Sequence, residues 1–195
     1  MKATDTGEDK LIEKAKAGDE EAFLALMRRY ESTVYNFSFK VCRDKEKAVD
    51  TVQDTFINVF QKLKQFDKQS KFSTWLYSIV SNNCLMKRRR GKMAKALVSF
   101  EEQFKDDDEF HPPPPVEWKV TPLDETLSKE LRRELDAAIL KLPVEYRIVF
   151  ILRDIEGKSA EESAKILHLS VPAVKSRLRR ARVFLREQLN GYMTS

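Results

Sequence analysis

Lys175, Arg177, Arg179, Arg180 and Arg182 crowd one short stretch of the chain, and the chemistry open to such a set is the grip of a polyanion. At about 100° per residue of an α-helix, Val174, Leu178, Ala181, Leu185 and Leu189 form an apolar stripe. Opposite that stripe, in the first turns, stand Pro172, Ala173, Ser176, Arg179 and Arg180, with Lys175, Arg177 and Arg182 on the flanks. Small residues allow close approach to a DNA major groove, an arginine reaches a guanine edge, and flanking cations meet phosphates. The plainer alternative is a solvated basic face on an ordinary bundle helix. A second set lies upstream, where Trp75, Tyr77 and Asn82 lead into Lys87-Arg88-Arg89-Arg90. Rings, amides and cations together suit unpaired bases and their backbone. Equally, Trp75 and Tyr77 fit a core, with the basic run complementing a helix dipole. No nucleophile, base and metal-ligand set converges: His111 and His168 stand alone, and Cys42 and Cys84 lack CxxC spacing and read as reduced core residues. The sequence therefore argues against an enzyme and suggests neither metal nor cofactor.

The elements that must position these groups are legible from their caps. Ser159 with Glu162 is a capping box that opens a short helix on Ala160, Ala164 and Leu167. His168-Leu169 interrupts it, Ser170 caps again, and Pro172 sits in the next first turn, which outlines a helix-turn-helix. Towards the N-terminus, a short helix from Asp9 to about Ala17 ends at Gly18, and Asp19 caps a longer one with the stripe Phe23, Leu26, Met27, Tyr30, Val34, Phe37 and Val41. Asp44 begins a third, whose periodicity predicts a core face of Val49, Val52, Phe56, Val59, Phe60 and Leu63 and an outer face of Asp50, Gln53, Asp54, Ile57, Asn58 and Gln61. Ile57 among those polar groups suggests a docking point, although isolated surface apolar residues are common. After a polar break at Gln65–Ser70, a fourth helix starts near Phe72 on the stripe Phe72, Trp75, Leu76, Ile79, Val80 and Asn83.

Periodicity lapses between Gly91 and Pro122, where an acidic block, Glu101 to Glu109, precedes Pro112 to Pro115. This reads as a linker, 93–122, dividing a domain at 1–92 from one at 123–195 in a chain of 195 residues. The second begins with the stripe Leu127, Leu131, Leu135, Ala138, Ile139 and Leu142, and Pro143 opens a further helix that Gly157 ends. Glycine is scarce and strand-like alternation is absent, so the expected fold is all-α, two small helical domains joined by an extended acidic and proline-rich segment. A net charge of +5, unevenly spread over two basic clusters, suggests a polyanion touched twice. No membrane span or signal peptide is evident, and a cytoplasmic protein is expected.

Taken together, these segments resemble the extracytoplasmic-function (ECF) group of bacterial sigma-70 family factors. Asp50-Thr51-Val52-Gln53-Asp54-Thr55-Phe56 is similar to the family's polymerase-binding segment, and Phe72-Ser73-Thr74-Trp75-Leu76-Tyr77 with Asn82 to its promoter-melting helix. Leu142 to Arg147, Arg153 to Gly157 and Val174 to Leu178 are similar to its −35-reading domain. The resemblance implies an alternative sigma factor with no enzymatic activity of its own, whose partners are the β and β′ subunits of core RNA polymerase, duplex and single-stranded promoter DNA, and an anti-sigma factor. It places Asp50, Gln53, Asp54 and Ile57 on the polymerase, and Phe66, Lys71, Trp75, Tyr77, Asn82, Lys87, Arg88 and Arg89 at the −10 element. It assigns Lys175, Ser176, Arg179 and Arg180 to reading the −35 element, and Arg153, Ser159, Arg177 and Arg182 to its phosphates. The chain departs from the family pattern at Val49, Thr51, Met86, Ser163 and His168. The competing readings are a duplex-binding regulator whose first domain dimerises or senses, with the Trp75, Tyr77 and Asn82 face buried, and a module that sequesters a protein.

Overall fold

The computed structural model describes residues 6–89, 97, 100–102, 104 and 125–193, and every regular element among them is helical. The chain divides into two units, one on residues 1–87 and 165–168, the other on 88–164 and 169–195. In the first, α1 (Thr6–Lys16) stops at Gly18, whose φ of 98° suits a residue without a Cβ. Asp19 and Asp44 are the expected N-caps, accepting from the Ala22 and Lys47 amides and opening α2 (Glu20–Cys42) and α3 (Lys45–Lys62). A single 3₁₀ turn, Leu63–Gln65, leads into a loop, and α4 runs from Phe72 to Arg89. Leu26, Phe37, Val59, Phe72, Leu76 and Val80 are almost completely removed from solvent.

The predicted core face of α3 is corrected by the structure. Val49 and Phe60 are 46% and 66% exposed, while Thr51 and Thr55 are fully buried. The buried hydroxyls are tolerated because each donates to a carbonyl one turn back, Thr51 to Lys47 at 2.7 Å and Thr55 to Thr51 at 2.6 Å. Thr55 also accepts from Asn83 of α4 at 3.1 Å, and Asn83 in turn accepts from Asn58 at 3.0 Å. This polar ladder is satisfied at each contact, so it is buried at little cost. The two departures from the family pattern on α3 thus have different places: Thr51 lies inside and Val49 outside.

In the second unit, α5 (Glu125–Lys141) turns into α6 (Val144–Phe150) at Pro143. Arg147 is buried there and donates to the carbonyls of Leu140 and Leu142, which the end of α5 leaves without helical partners. A π-helical turn, Ile151–Ile155, follows, and Gly157 at φ 64° releases the chain into α7 (Ala160–Leu167) and α8 (Val171–Met193). The core joins Ala138 and Ile139 of α5, Leu142 just past its end, Tyr146 of α6, and Ala181 and Leu185 of α8. Phe100 and Phe104, which the sequence places in the linker, are also buried in it, with Leu97 packed alongside. Spaced at i, i+3 and i+7, these three make a stripe of two turns, too short to stand out among the flanking charges. Glu101 and Glu102 between them are exposed, and the rest of the linker, including Asp106 to Glu109 and Pro112 to Pro115, lies outside the described residues.

Candidate nucleic-acid interface

The helix-turn-helix is built as its caps predict. The Ser159 amide donates to the Glu162 carboxylate at 2.8 Å, and the Glu162 amide to the Ser159 hydroxyl at 3.0 Å. At the other end of α7, Leu169 N–H bonds the Ala164 carbonyl across His168, which takes φ 52°. That is the helix-ending arrangement in which glycine usually occupies the left-handed position, so His168 keeps the turn's geometry despite its side chain. Ser170 accepts from the Ala173 amide at 3.3 Å and opens α8. Val174, Leu178, Ala181 and Leu185 are buried, as their stripe requires.

Around α8, Lys175 is exposed, and Ser176 and Arg179 are half-exposed. Several neighbouring cations are bound to identified partners within the chain. Arg182 forms a bidentate pair with Asp154 of the π-helical turn, 2.8 and 2.6 Å, and this bonding raises its already high pKa. Arg153 donates to the Lys158 carbonyl and closes the loop before α7. Arg177 lies over the Tyr146 ring, 6.0 Å from its centre. Arg180 acts on the Tyr146 hydroxyl and favours its ionised form, and that hydroxyl donates to Glu101 at 3.1 Å. Burial pushes the Tyr146 pKa up, so the hydroxyl is a protonated donor at neutral pH.

On the first unit two expected DNA contacts are corrected. Phe66 is 3% exposed, with its ring centre 5.5 Å from Phe72 and 5.2 Å from Trp75. Tyr77 is 6% exposed, edge-on to Phe37 at 5.1 Å. Both rings are therefore core supports, because an aromatic residue beside a helix start or one position along from a core residue gains more from ring packing than from water. Trp75 is half-buried at the edge of this cluster, and Lys71 and Asn82 are exposed. Lys87, Arg88 and Arg89 occupy the last turn of α4, and their side chains lie outside the described residues.

The outer face of α3 emerges as expected, with Asp50, Gln53 and Ile57 exposed and Asp54 half-exposed. Val49 and Phe60, assigned to the core by periodicity, join Ile57 there and make the face more apolar than the sequence suggests. Among the described residues no group of His, Cys, Asp or Glu is placed to hold a metal, and no helix is long and apolar enough to cross a membrane.

Comparison with known proteins adds relatives to this geometry. Residues 26–93 match the family model Sigma-70 region 2, and residues 132–185 match Sigma-70, region 4. The chain is similar to the ECF RNA polymerase sigma factor SigW of Bacillus subtilis, 33% identical over 183 residues, covering 92% of this chain and 95% of that one. It is similar also to the ECF RNA polymerase sigma-E factor of Haemophilus influenzae, 30% identical over 186 residues, covering 94% and 95%. Among solved structures, CnrH in complex with the cytosolic domain of CnrY superposes with a TM-score of 0.64 at 27% identity, over 94% of this chain and 97% of that one.

Proposed function

The chain belongs to the extracytoplasmic-function group of sigma-70 family RNA polymerase sigma factors, and on that premise we propose that it works as an alternative sigma factor. It binds core RNA polymerase through the β and β′ subunits and directs promoter-specific initiation, recognising −35 and −10 elements and helping to melt the DNA. It is an initiation factor and not an enzyme. The observation that carries the reading is α8: a capped helix with one fully buried stripe and a small, then cationic, outer face, following a second capped helix across a tight turn.

The residue assignments follow from position on the helix and exposure. Ser176 and Arg179 lead the reading of the −35 element, with Lys175 beside them positioning its backbone. Arg180 and Arg177 reach it by leaving or sharing Tyr146, and Arg182 and Arg153 by sharing their own partners, while Ser159 offers the helix start it caps. Lys71, Trp75 and Asn82, continued by Lys87, Arg88 and Arg89, face the −10 element, with Phe66 and Tyr77 bracing them from inside. Asp50, Gln53, Asp54 and Ile57 dock on the polymerase. Residues 1–92 and 123–195 are the two working domains, the second completed by Phe100 and Phe104 of the intervening 93–122, and the site of action is the cytoplasm.

Because the relative CnrH was solved with the cytosolic domain of CnrY, a protein that covers these surfaces is the expected form of control. The test of the whole reading is run-off transcription with core enzyme and this protein on a promoter library. Specific start sites are expected; failure both to initiate and to bind core overturns it. A regulator that needs no polymerase would instead bind duplex DNA tightly by itself.

A further inference from the structure

The loop from Phe66 to Lys71 joins the 3₁₀ turn to α4, and its own sequence does little to fix it. Lys68 takes φ 62°, a conformation costly for any residue with a Cβ. Local bonds run from the Gln69 amide to the Asp67 carboxylate at 3.1 Å and, at the long limit of 3.4 Å, from the Ser70 hydroxyl to the Lys71 carbonyl. The stronger restraints come from α1, some fifty residues earlier. Lys16 donates to the Phe66 main-chain carbonyl at 2.8 Å. The Lys68 ammonium lies 2.9 Å from the Glu13 carboxylate and 4.0 Å from that of Asp9.

Asp9, Glu13 and Lys16 are at i, i+4 and i+7, one face of α1, so a single helix face holds both the entry and the middle of the loop. The Glu13 carboxyl is held below its usual pKa and the Lys68 ammonium above its own, each chiefly by the hydrogen bond between them. Exposed ion pairs of this kind add little to global stability. The Lys16 bond differs, since it is charge-assisted, partly buried, and ends on the backbone of a residue whose ring is in the core. What the three contacts share is geometry: they hold an otherwise strained loop in one conformation before any ligand arrives.

We propose that Lys16, Glu13 and Lys68 are positioning residues that set base selectivity at the −10 element by pre-forming the Phe66–Lys71 loop. The inference rests on the reading that this loop meets an unstacked base of that element. Unstacking a base costs free energy that pocket contacts must recover, and a loop ordered in advance recovers it more selectively than one that must order on binding.

The test uses the full chain bound to core polymerase and single-stranded −10 oligonucleotides carrying each base in turn at each position. Lys16→Met, Lys68→Ala and the swap Glu13→Lys with Lys68→Glu are compared with the unaltered protein. Lys16→Met is expected to lower the preference for the best base by roughly tenfold, the order expected when a charge-assisted hydrogen bond is lost. Lys68→Ala should lower it less, the swap should restore it, core affinity should stay unchanged in all, and the thermal midpoint should stay unchanged in the Lys68 variants. Variants that discriminate like the unaltered chain overturn the brace while leaving the −10 assignment intact. An unaltered chain with no base preference in this element overturns the loop's assignment and the brace together. A drop in core affinity or thermal midpoint parallel to the drop in selectivity, not rescued by the swap, shows a merely structural role and also overturns it.

Discussion

Ser163 is fully buried, and its hydroxyl has no hydrogen-bond partner. A buried polar group left unpaired costs about 1–3 kcal/mol, so Ser163→Ala, which removes the group and little volume, is expected to raise stability by up to about 1 kcal/mol in urea unfolding. A leucine at the same fully enclosed position is expected to destabilise by about 1–3 kcal/mol through overpacking. His168→Gly should stabilise by a similar small amount, because His168 is exposed and its φ of 52° penalises any Cβ. At the DNA face the expectation is a split. Arg179→Ala should cost about 1–3 kcal/mol at one −35 position and relax preference there, whereas Lys175→Ala should weaken matched and scrambled elements alike and reduce the salt slope by about one. Binding titrations on both elements at several salt concentrations check this, and equal losses would refute the division into readers and positioners. Both departures at Ser163 and His168 were visible in the sequence. What was not visible is that Arg177 and Arg180 turn towards Tyr146, because helical angle places a side chain's root and not the end of a long flexible arm.

The elements were largely legible because caps are local: Asp19, Asp44, Ser159 and Ser170 each satisfy an orphan amide within three residues. The facing of α3 was not, since Val49 and Phe60 look like core and Thr51 and Thr55 do not until the polar ladder to Asn83 is seen. That ladder pins α3, proposed to dock on the polymerase, to α4, proposed to meet the −10 element. Asn83→Ala leaves Asn58 without its acceptor and removes a buried bond to Thr55, so a loss of about 1–3 kcal/mol is expected. With Thr55→Val already present the loss should be smaller by about 0.5 kcal/mol or more, the mark of a shared contact in a double-mutant cycle. The linker shows the opposite failure. Phe100 packs 4.5 Å from the Tyr146 ring and 5.1 Å from Phe104, inside a core otherwise made by α5, α6 and α8. Phe100→Ala is expected to cost about 3–5 kcal/mol of stability, read from unfolding of the second unit. An unchanged transition would remove this segment from the core.

The molecule as a whole carries +5 charges distributed over two units, and each unit is small enough to hold one function. If the first opens DNA and the second anchors it, substitutions in the two units should act on different steps. Trp75→Ala removes a half-buried ring at the edge of the Phe66 and Phe72 cluster, so it should impair strand opening while core binding and −35 occupancy persist. Arg179→Ala should do the reverse, lowering occupancy of the closed complex and leaving the opening step of whatever complex forms unchanged. Substitutions that share no partner add to within about 0.3–0.5 kcal/mol, and Trp75 packs on Phe66 and Phe72 of the first unit while Arg179 belongs to the second. The double variant should therefore lose the sum of the two single effects when open-complex formation is followed by permanganate reactivity across a range of protein concentrations. Strong non-additivity would mean that the second unit takes part in melting, and that the two grips are one.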